Sequence, residues 1–320
     1  MALAIHLHEA QHREASASLR DDTLQGFAAT PKWASPKHFY DRRGSELFEL
    51  ICRQPEYYPT RIEEAILARF ASAIAERIGP GRSLIELGSG ASRKVRLLLE
   101  ACRPARYLGI DISADFLCSS TLRLAADYPW LAVHAVCADY SQPMSMPADF
   151  HAQRPLAFFP GSSIGNFTPL QAQDFLHNLK ALLPAGSELL VGVDLVKAPH
   201  VLDAAYNDAA GVTAAFNRNL LWRIRRELDS DLQPDAFDHL AFFNAEESRV
   251  EMHLISTCNQ EIRVEGQTFG FARGESLHTE NSYKYSIEGF QALAKKSGYC
   301  PVAVWTDPGQ LFSVHLLQRC

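Results

Sequence analysis

The sequence has no uninterrupted apolar run near the about 20 residues that a membrane-spanning helix requires, so no such span is expected. Its first residues carry His6, His8 and Glu9 where a secretory leader needs an apolar segment, so no leader is expected either. It has no C-x-x-C pair, and its seven cysteines are an odd number. That usage fits free thiols in a reducing cytoplasm and speaks against a disulfide framework or a zinc site. Positive charge is also short: 31 basic residues face 37 acidic ones, a net charge of −6. Binding to nucleic acid by bulk attraction is therefore not expected. Internal repeats and low-complexity segments are missing. What is present is ordinary globular chemistry, 47% apolar and 21% charged over 320 residues, enough for about two domains.

Hydropathy patterning divides the chain. Ser45 is placed to cap a short helix running to Arg53. Pro55 and Pro59 bracket Tyr57 and Tyr58 on a constrained loop. Thr60 with Glu63 has the capping-box spacing, opening a helix that Gly79 closes. From Ser83 the pattern alternates. Short apolar runs at 83–87, 107–112, 132–137, 156–159 and 188–195 are separated by helical stretches at 93–102, 116–127 and 171–183. Strands and helices in that alternation imply an α/β fold with a parallel sheet. The alternation stops near Lys197. Helical patterns at 199–206 and 212–228 and strand patterns at 249–257 and 260–265 follow, an insertion with its own architecture. A helix at 287–296, capped by Ser286, and a hairpin through Asp307-Pro308-Gly309 then return to the first pattern.

The first strand ends in Glu86-Leu-Gly88-Ser-Gly90 and runs into a helix. Glycines there let the backbone approach a ligand closely. Asp111 ends the second strand, about 20 residues on, where a carboxylate can accept from ribose hydroxyls. So far a dinucleotide enzyme and an S-adenosylmethionine methyltransferase both fit. Three features favour the methyltransferase. Glu86 is an acidic residue directly before the turn. Asp139-Tyr140 follows the third strand and suits an adenine amino group and ring face. The antiparallel end of the chain matches a seven-stranded methyltransferase sheet.

The chain also carries the stretches Phe39-Tyr-Asp-Arg-Arg-Gly-Ser45, Pro55-Glu-Tyr-Tyr-Pro-Thr60, Glu86-Leu-Gly-Ser-Gly90, Pro160-Gly-Ser-Ser-Ile-Gly-Asn-Phe167, Asp194-Leu-Val-Lys197, Phe216-Asn-Arg-Asn219 and Thr279-Glu-Asn-Ser-Tyr-Lys-Tyr285. In these ordered stretches the chain resembles the bacterial L-histidine Nα-methyltransferase family of ergothioneine biosynthesis. The resemblance implies a Rossmann-like class I methyltransferase domain, 61–197 and 287–320, with a seven-stranded, mostly parallel sheet. It implies a second, α+β substrate-binding domain, 1–60 and 198–286. Tyr40, Gly88, Lys94, Asp111, Asp139 and Tyr140 fall where that family holds S-adenosylmethionine. Tyr57, Asn166 and Tyr206 fall where it holds the backbone end of histidine, and Glu280 and Ser282 where it holds the imidazole. Tyr40 and Tyr57 are the residues expected nearest the chemistry. The implied reaction is methylation of the α-nitrogen of L-histidine, in three rounds, to the betaine hercynine. The implied enzyme is a cytoplasmic monomer acting on a small molecule, without nucleic acid, membrane or metal.

The residue types suit those roles. Asn166 and Tyr206 can donate to a carboxylate, and Tyr57 can accept from an amine. Glu280 and Ser282, two apart in extended chain, face one side and can pair with both imidazole nitrogens. The amine must be neutral to attack, losing its proton to water or a nearby tyrosine. Rival readings stand beside this one. A relative acting on tryptophan would have little use for Glu280. A catalytically idle S-adenosylmethionine-binding regulator would need no amine pocket. His6, His8 and His12 have no cysteine or carboxylate to complete a metal site, so a solvated N-terminus is expected.

Overall fold

The structure is a computed structural model and describes residues 5–8, 15–142, 144–150 and 154–320. In chain order its elements begin with β1 (Ile5–His8), α1 (Ala15–Ala28), β2 (Lys32–Trp33), α2 (Arg42–Ile51) and α3 (Tyr58–Ile78). Next come β3 (Ser83–Leu87), α4 (Lys94–Cys102), β4 (Arg106–Asp111), α5 (Ala114–Asp127), β5 (Ala132–Cys137), β6 (Leu156–Phe159), α6 (Pro169–Leu182) and β7 (Glu188–Asp194). Then follow α7 (Pro199–Tyr206), α8 (Val212–Glu227), β8 (Phe237–Asn244), β9 (Arg249–Ser256), β10 (Gln260–Val264), β11 (Gln267–Phe271) and β12 (Ser276–Tyr283). The last are α9 (Ile287–Lys296), β13 (Tyr299–Thr306) and β14 (Phe312–Arg319). Two compact units result. The first holds β1 with Pro59–Val196 and Tyr283–Cys320, and the second holds 15–58 with Lys197–Ser282.

The first unit is built on one sheet in the order β1-β5-β4-β3-β6-β7-β14-β13. Strands β1 to β7 of this sheet run parallel, and β14 and β13 close it antiparallel. Strands β3, β6 and β7 are buried along their whole length, as parallel strands covered on both faces must be. Alternate residues enter opposite cores. Ile85, Leu87, Leu108, Ile110 and Val191 pack with Phe175, Leu179 and Phe290 on one face. Leu84, Tyr107, Val133, Phe158 and Leu190 pack with Ile66, Leu98 and Leu124 on the other. Strand order reverses between β3 and β6, and the loops beyond their carboxyl ends are where such sheets bind ligands.

The second unit holds a four-stranded sheet, β2-β12-β9-β8, and a β10-β11 hairpin. Asn217 and Phe216 on α8 are buried in it. Asp41 caps α2 by accepting from the Gly44 amide at 2.7 Å, and accepts again from Asn219 Nδ2 at 2.8 Å. A Cβ at Gly44 would collide with the Phe39 carbonyl, which accounts for the glycine in that motif.

Several expectations change. The seven methyltransferase strands are present, and β1 adds an eighth at the β5 edge, so Ile5–His8 belongs to the first unit and not with residues 1–60. His6 stacks on His134 there, while His12 lies outside the described residues. The return to the first unit comes at Tyr283, earlier than 287, because the Tyr285 amide donates to the Asp194 carbonyl and the buried Lys284–Asp194 pair closes at 2.8 Å. The cysteines are not all free. Cys300 and Cys320 form a disulfide, brought together by the β13-β14 hairpin, a tertiary juxtaposition that spacing does not reveal. Helix α3 starts at Tyr58, so Thr60 is not its cap, and Glu63 is engaged elsewhere. Among the described residues no helix is long and apolar enough to cross a membrane.

His315 lies on β14 with no exposed surface, and burial pushes its pKa down to about 4. Its folded pKa is below the ordinary 6.5, so its contribution is full above pH 6.5 and is lost as the pH falls toward 4. A displacement of that size corresponds to roughly 3 kcal/mol. Urea midpoints measured across this pH range should fall more steeply for the wild type than for His315→Leu. Ser313 keeps its bond to the Val193 carbonyl in that variant. Parallel slopes would contradict a buried neutral imidazole.

Candidate active site

In the first unit the turn after β3 is held to the end of β4. The amides of Gly88 and Ser89 both donate to the Ile110 carbonyl, at 2.8 and 3.1 Å. The Gly90 amide donates to Asp111 Oδ2 at 2.8 Å, and the Ser113 amide to Oδ1 at 2.9 Å. Gly88 has φ +69° and Gly90 φ +48°, so both need glycine's freedom. The Ile112 amide also acts on this carboxylate. A carboxylate carries about four acceptor positions, which leaves capacity for a further donor. Burial raises its pKa, opposed by those amides.

Glu86, on β3 two residues before Gly88, is buried and accepts from the Tyr107 hydroxyl at 2.6 Å. Desolvation lifts its pKa to about 8, so it is mostly protonated at neutral pH. Asp139 Oδ1 accepts from the Ser141 amide and hydroxyl, at 2.9 and 2.5 Å. Tyr140 lies over Gly88, where a Cβ would stand 3.5 Å from its ring. With Leu87, Met144, Phe175 and Leu179 it lines a cavity of about 200 Å³. Beyond β6, Asn166 ends a short 3-10 turn, Ser163–Asn166, and the cap of α6 is Thr168. The close approach of this turn to Tyr283 needs Gly165, where a Cβ would stand 2.6 Å from the Tyr283 carbonyl oxygen.

Lys94 opens α4, and its ammonium donates to Glu63 Oε2 at 2.6 Å. Glu63 has no exposed surface and also accepts from the Gly161 amide, 2.8 Å from Oε2. A Cβ at Gly192 would collide with this carboxylate, so β7 carries a glycine there. Glu63 was not among the residues expected from sequence. Its spacing from Thr60 matched a helix cap, and only the fold sets it against Lys94 and Gly161.

The second unit gathers the remaining candidates. Tyr40 packs edge-on against Phe48 and Phe216, with centroids 5.9 and 5.8 Å away. Phe48 meets Tyr57 at 6.3 Å, and Tyr57 meets Tyr206 at 6.3 Å. The Tyr206 hydroxyl donates to Ser282 Oγ at 2.8 Å, both groups being buried. Glu280 stands two residues before Ser282 on β12 and is close enough to act on Tyr57 electrostatically. Burial raises the Tyr57 pKa well above the ordinary phenol value, with Tyr206, Cys52, Tyr40 and Glu280 adding to the effect. Tyr57 therefore stays a neutral hydroxyl.

On the same sheet, Glu251, His253 and His278 offer ligand atoms within 4.8 Å of one another. The two imidazoles stack 18° from parallel, so their in-plane lone pairs run side by side and do not converge on one ion. Glu251 is bound by Arg249, Asn244 and His253 instead, which holds its pKa down near 2 against the cost of burial.

The first unit thus holds a glycine turn with a carboxylate at its rim, and the second holds a tyrosine cluster with a carboxylate beside it. A family described as "Histidine-specific methyltransferase, SAM-dependent" matches residues 19–319. The chain belongs to this family. It is 42% identical to a histidine N-alpha-methyltransferase of Mycolicibacterium smegmatis, over 95% of this chain and 96% of the relative. It is 39% identical to the protein of the same name in Mycobacterium tuberculosis, over 94% and 95%. It is 31% identical to ergothioneine biosynthesis protein 1 of Neurospora crassa, covering 88% of this chain and 32% of that protein. The family's methyl donor, S-adenosylmethionine, fits the first unit's residues: a turn open to close approach, an acceptor carboxylate in Asp111 and the ring face of Tyr140.

Removing one member of a buried ion pair leaves an uncompensated charge, at a cost of about 3–5 kcal/mol. Glu63→Ala should lower stability in urea by that order, and Glu63→Met with Lys94→Met should recover a large part. If the single variant is as stable as the wild type, Glu63 and Lys94 do not support each other.

Proposed function

We propose that this protein transfers methyl groups from S-adenosylmethionine to the α-nitrogen of L-histidine, in three rounds, supplying hercynine for ergothioneine biosynthesis. It acts as a monomer in the cytoplasm. The observation that carries the reading is the grouping of the buried Tyr57, Tyr206 and Ser282 with the half-buried Glu280 in the second unit. Such a grouping has a use for an imidazole. Glu280 accepts from one ring nitrogen and Ser282 pairs with the other, fixing tautomer and orientation.

When bound, S-adenosylmethionine supplies an already activated methyl group, so the protein's task is to bind, orient and exclude water. Asp111 takes the ribose hydroxyls, Asp139 and Tyr140 take the adenine, and Lys94, tethered by Glu63, takes the carboxylate. In the second unit, Tyr206 donates to the carboxylate of histidine. Tyr57 accepts from the amine and keeps its lone pair aimed, and Tyr40 closes the aromatic wall beside it. The proton of the amine goes to water, because the raised pKa of Tyr57 makes its phenolate a rare species.

The loss of a hydrogen bond to a charged group costs about 1.5–3 kcal/mol, or roughly 10- to 100-fold. Glu280→Ala is therefore expected to raise KM for histidine by that factor while calorimetry shows unchanged S-adenosylmethionine affinity. An unchanged KM for histidine would remove Glu280 from the imidazole site.

A further inference from the structure

The hydroxyl of Tyr206 meets Ser282, but what holds Tyr206 itself is a separate chain of polar groups in the second unit. Tyr206 is the last residue of α7, so its carbonyl has no partner inside the helix. His239 Nε2, from β8, lies 2.9 Å from that carbonyl oxygen. His239 Nδ1 lies 2.9 Å from Asn217 Nδ2 on α8. Asn217 Nδ2 also donates to the His253 carbonyl at 3.0 Å, and the single hydroxyl hydrogen of Thr279 is shared between Asn217 Oδ1, at 2.8 Å, and the Met252 carbonyl, at 3.0 Å. Asn217 is fully buried, and His239 is largely so.

The chain can be read in one direction only. A carbonyl oxygen only accepts, so the His253 carbonyl fixes the Asn217 amide with its nitrogen toward His239. The Tyr206 carbonyl fixes the hydrogen of His239 on Nε2, leaving Nδ1 to accept from Asn217. The imidazole is then neutral, with one donor and one acceptor, each used. Burial, helped by Arg218 and opposed by the Tyr206 carbonyl and Asp208, lowers its pKa and favours that form. Thr279 adjoins Glu280 on β12, so the relay begins on the strand that carries Glu280 and Ser282 and returns to it through Tyr206.

We propose that His239, as the neutral Nε2–H tautomer, is a positioning residue for histidine recognition: it fixes the end of α7 so that the Tyr206 hydroxyl meets Ser282. This rests on the reading that Tyr206 and Ser282 hold histidine. Asn207 Nδ2 on the Ala241 carbonyl, at 3.0 Å, and Asp203 Oδ1 accepting from the Phe243 amide, at 2.7 Å, pin the same helix to β8. Loss of His239 should therefore loosen the end of the helix without releasing it.

The test is steady-state kinetics on His239→Ala, His239→Gln and His239→Asn with histidine and S-adenosylmethionine varied separately. Glutamine can place its amide N–H at the Nε2 position, toward the Tyr206 carbonyl. Asparagine reaches only the Nδ1 position. His239→Ala and His239→Asn should raise KM for histidine by about 10-fold, with KM for S-adenosylmethionine unchanged. His239→Gln should stay within about threefold of the wild type. In a Tyr206→Phe background, His239→Ala should add little. If His239→Ala does not fold, the glutamine–asparagine comparison decides. Equal effects of those two, or a matching loss for both substrates, would overturn the proposal. A wild type that does not methylate histidine would refute the underlying reading instead.

Discussion

A carboxylate with no access to water must find its partners inside the protein, and the ligand end of the first unit is organised by one that does. Glu63 joins three segments far apart in sequence: its own helix, the lysine that opens the helix after the glycine turn, and the loop that leads to Asn166. Gly192 has no side chain because this carboxylate fills the space beside it. The parallel sheet supplies the platform, since its strand order reverses between the two strands whose ends these segments follow. Breaking the pair would release a charge into the core as well as a loop.

The second unit solves a different problem. Its aromatic rings pack edge-on, which brings bulk and rigidity, and its hydroxyls must be aimed. A buried hydroxyl without a partner is costly, so Tyr206 and Ser282 are paired with each other. On the proposed reading, selectivity rests on Glu280, whose carboxylate favours a ring bearing an N–H over an apolar one.

Much of the fold was legible in the sequence because parallel strands buried on both faces leave continuous apolar runs, and the glycine turn after Glu86 marks the end of one. The strand at Phe237–Asn244 was missed. It exposes Leu240 and Phe242 and buries Phe237 and Ala241, so its polarity does not alternate. Ile5–His8 was missed because four residues carry too little pattern to mark an edge strand. Of the site, the candidates reached through resemblance sit in two groups, each in its own unit. Glu63 and His239 were not legible, because their significance lies in partners that sequence spacing does not bring together. Glu63 even carried a false local signal, the spacing of a helix cap. Asp41, Asp194 and Lys284 lie in motifs shared with the family, and their visible work is structural: a helix cap and a buried ion pair.

The central claim is most directly tested by incubating the purified protein with S-adenosylmethionine and an equimolar mixture of the proteinogenic amino acids, then reading the mixture by mass spectrometry. The account predicts that histidine alone gains methyl groups, up to three, with fragmentation placing all of them on the α-nitrogen. Histidine left unmodified, whether or not another amino acid gains mass, would contradict it.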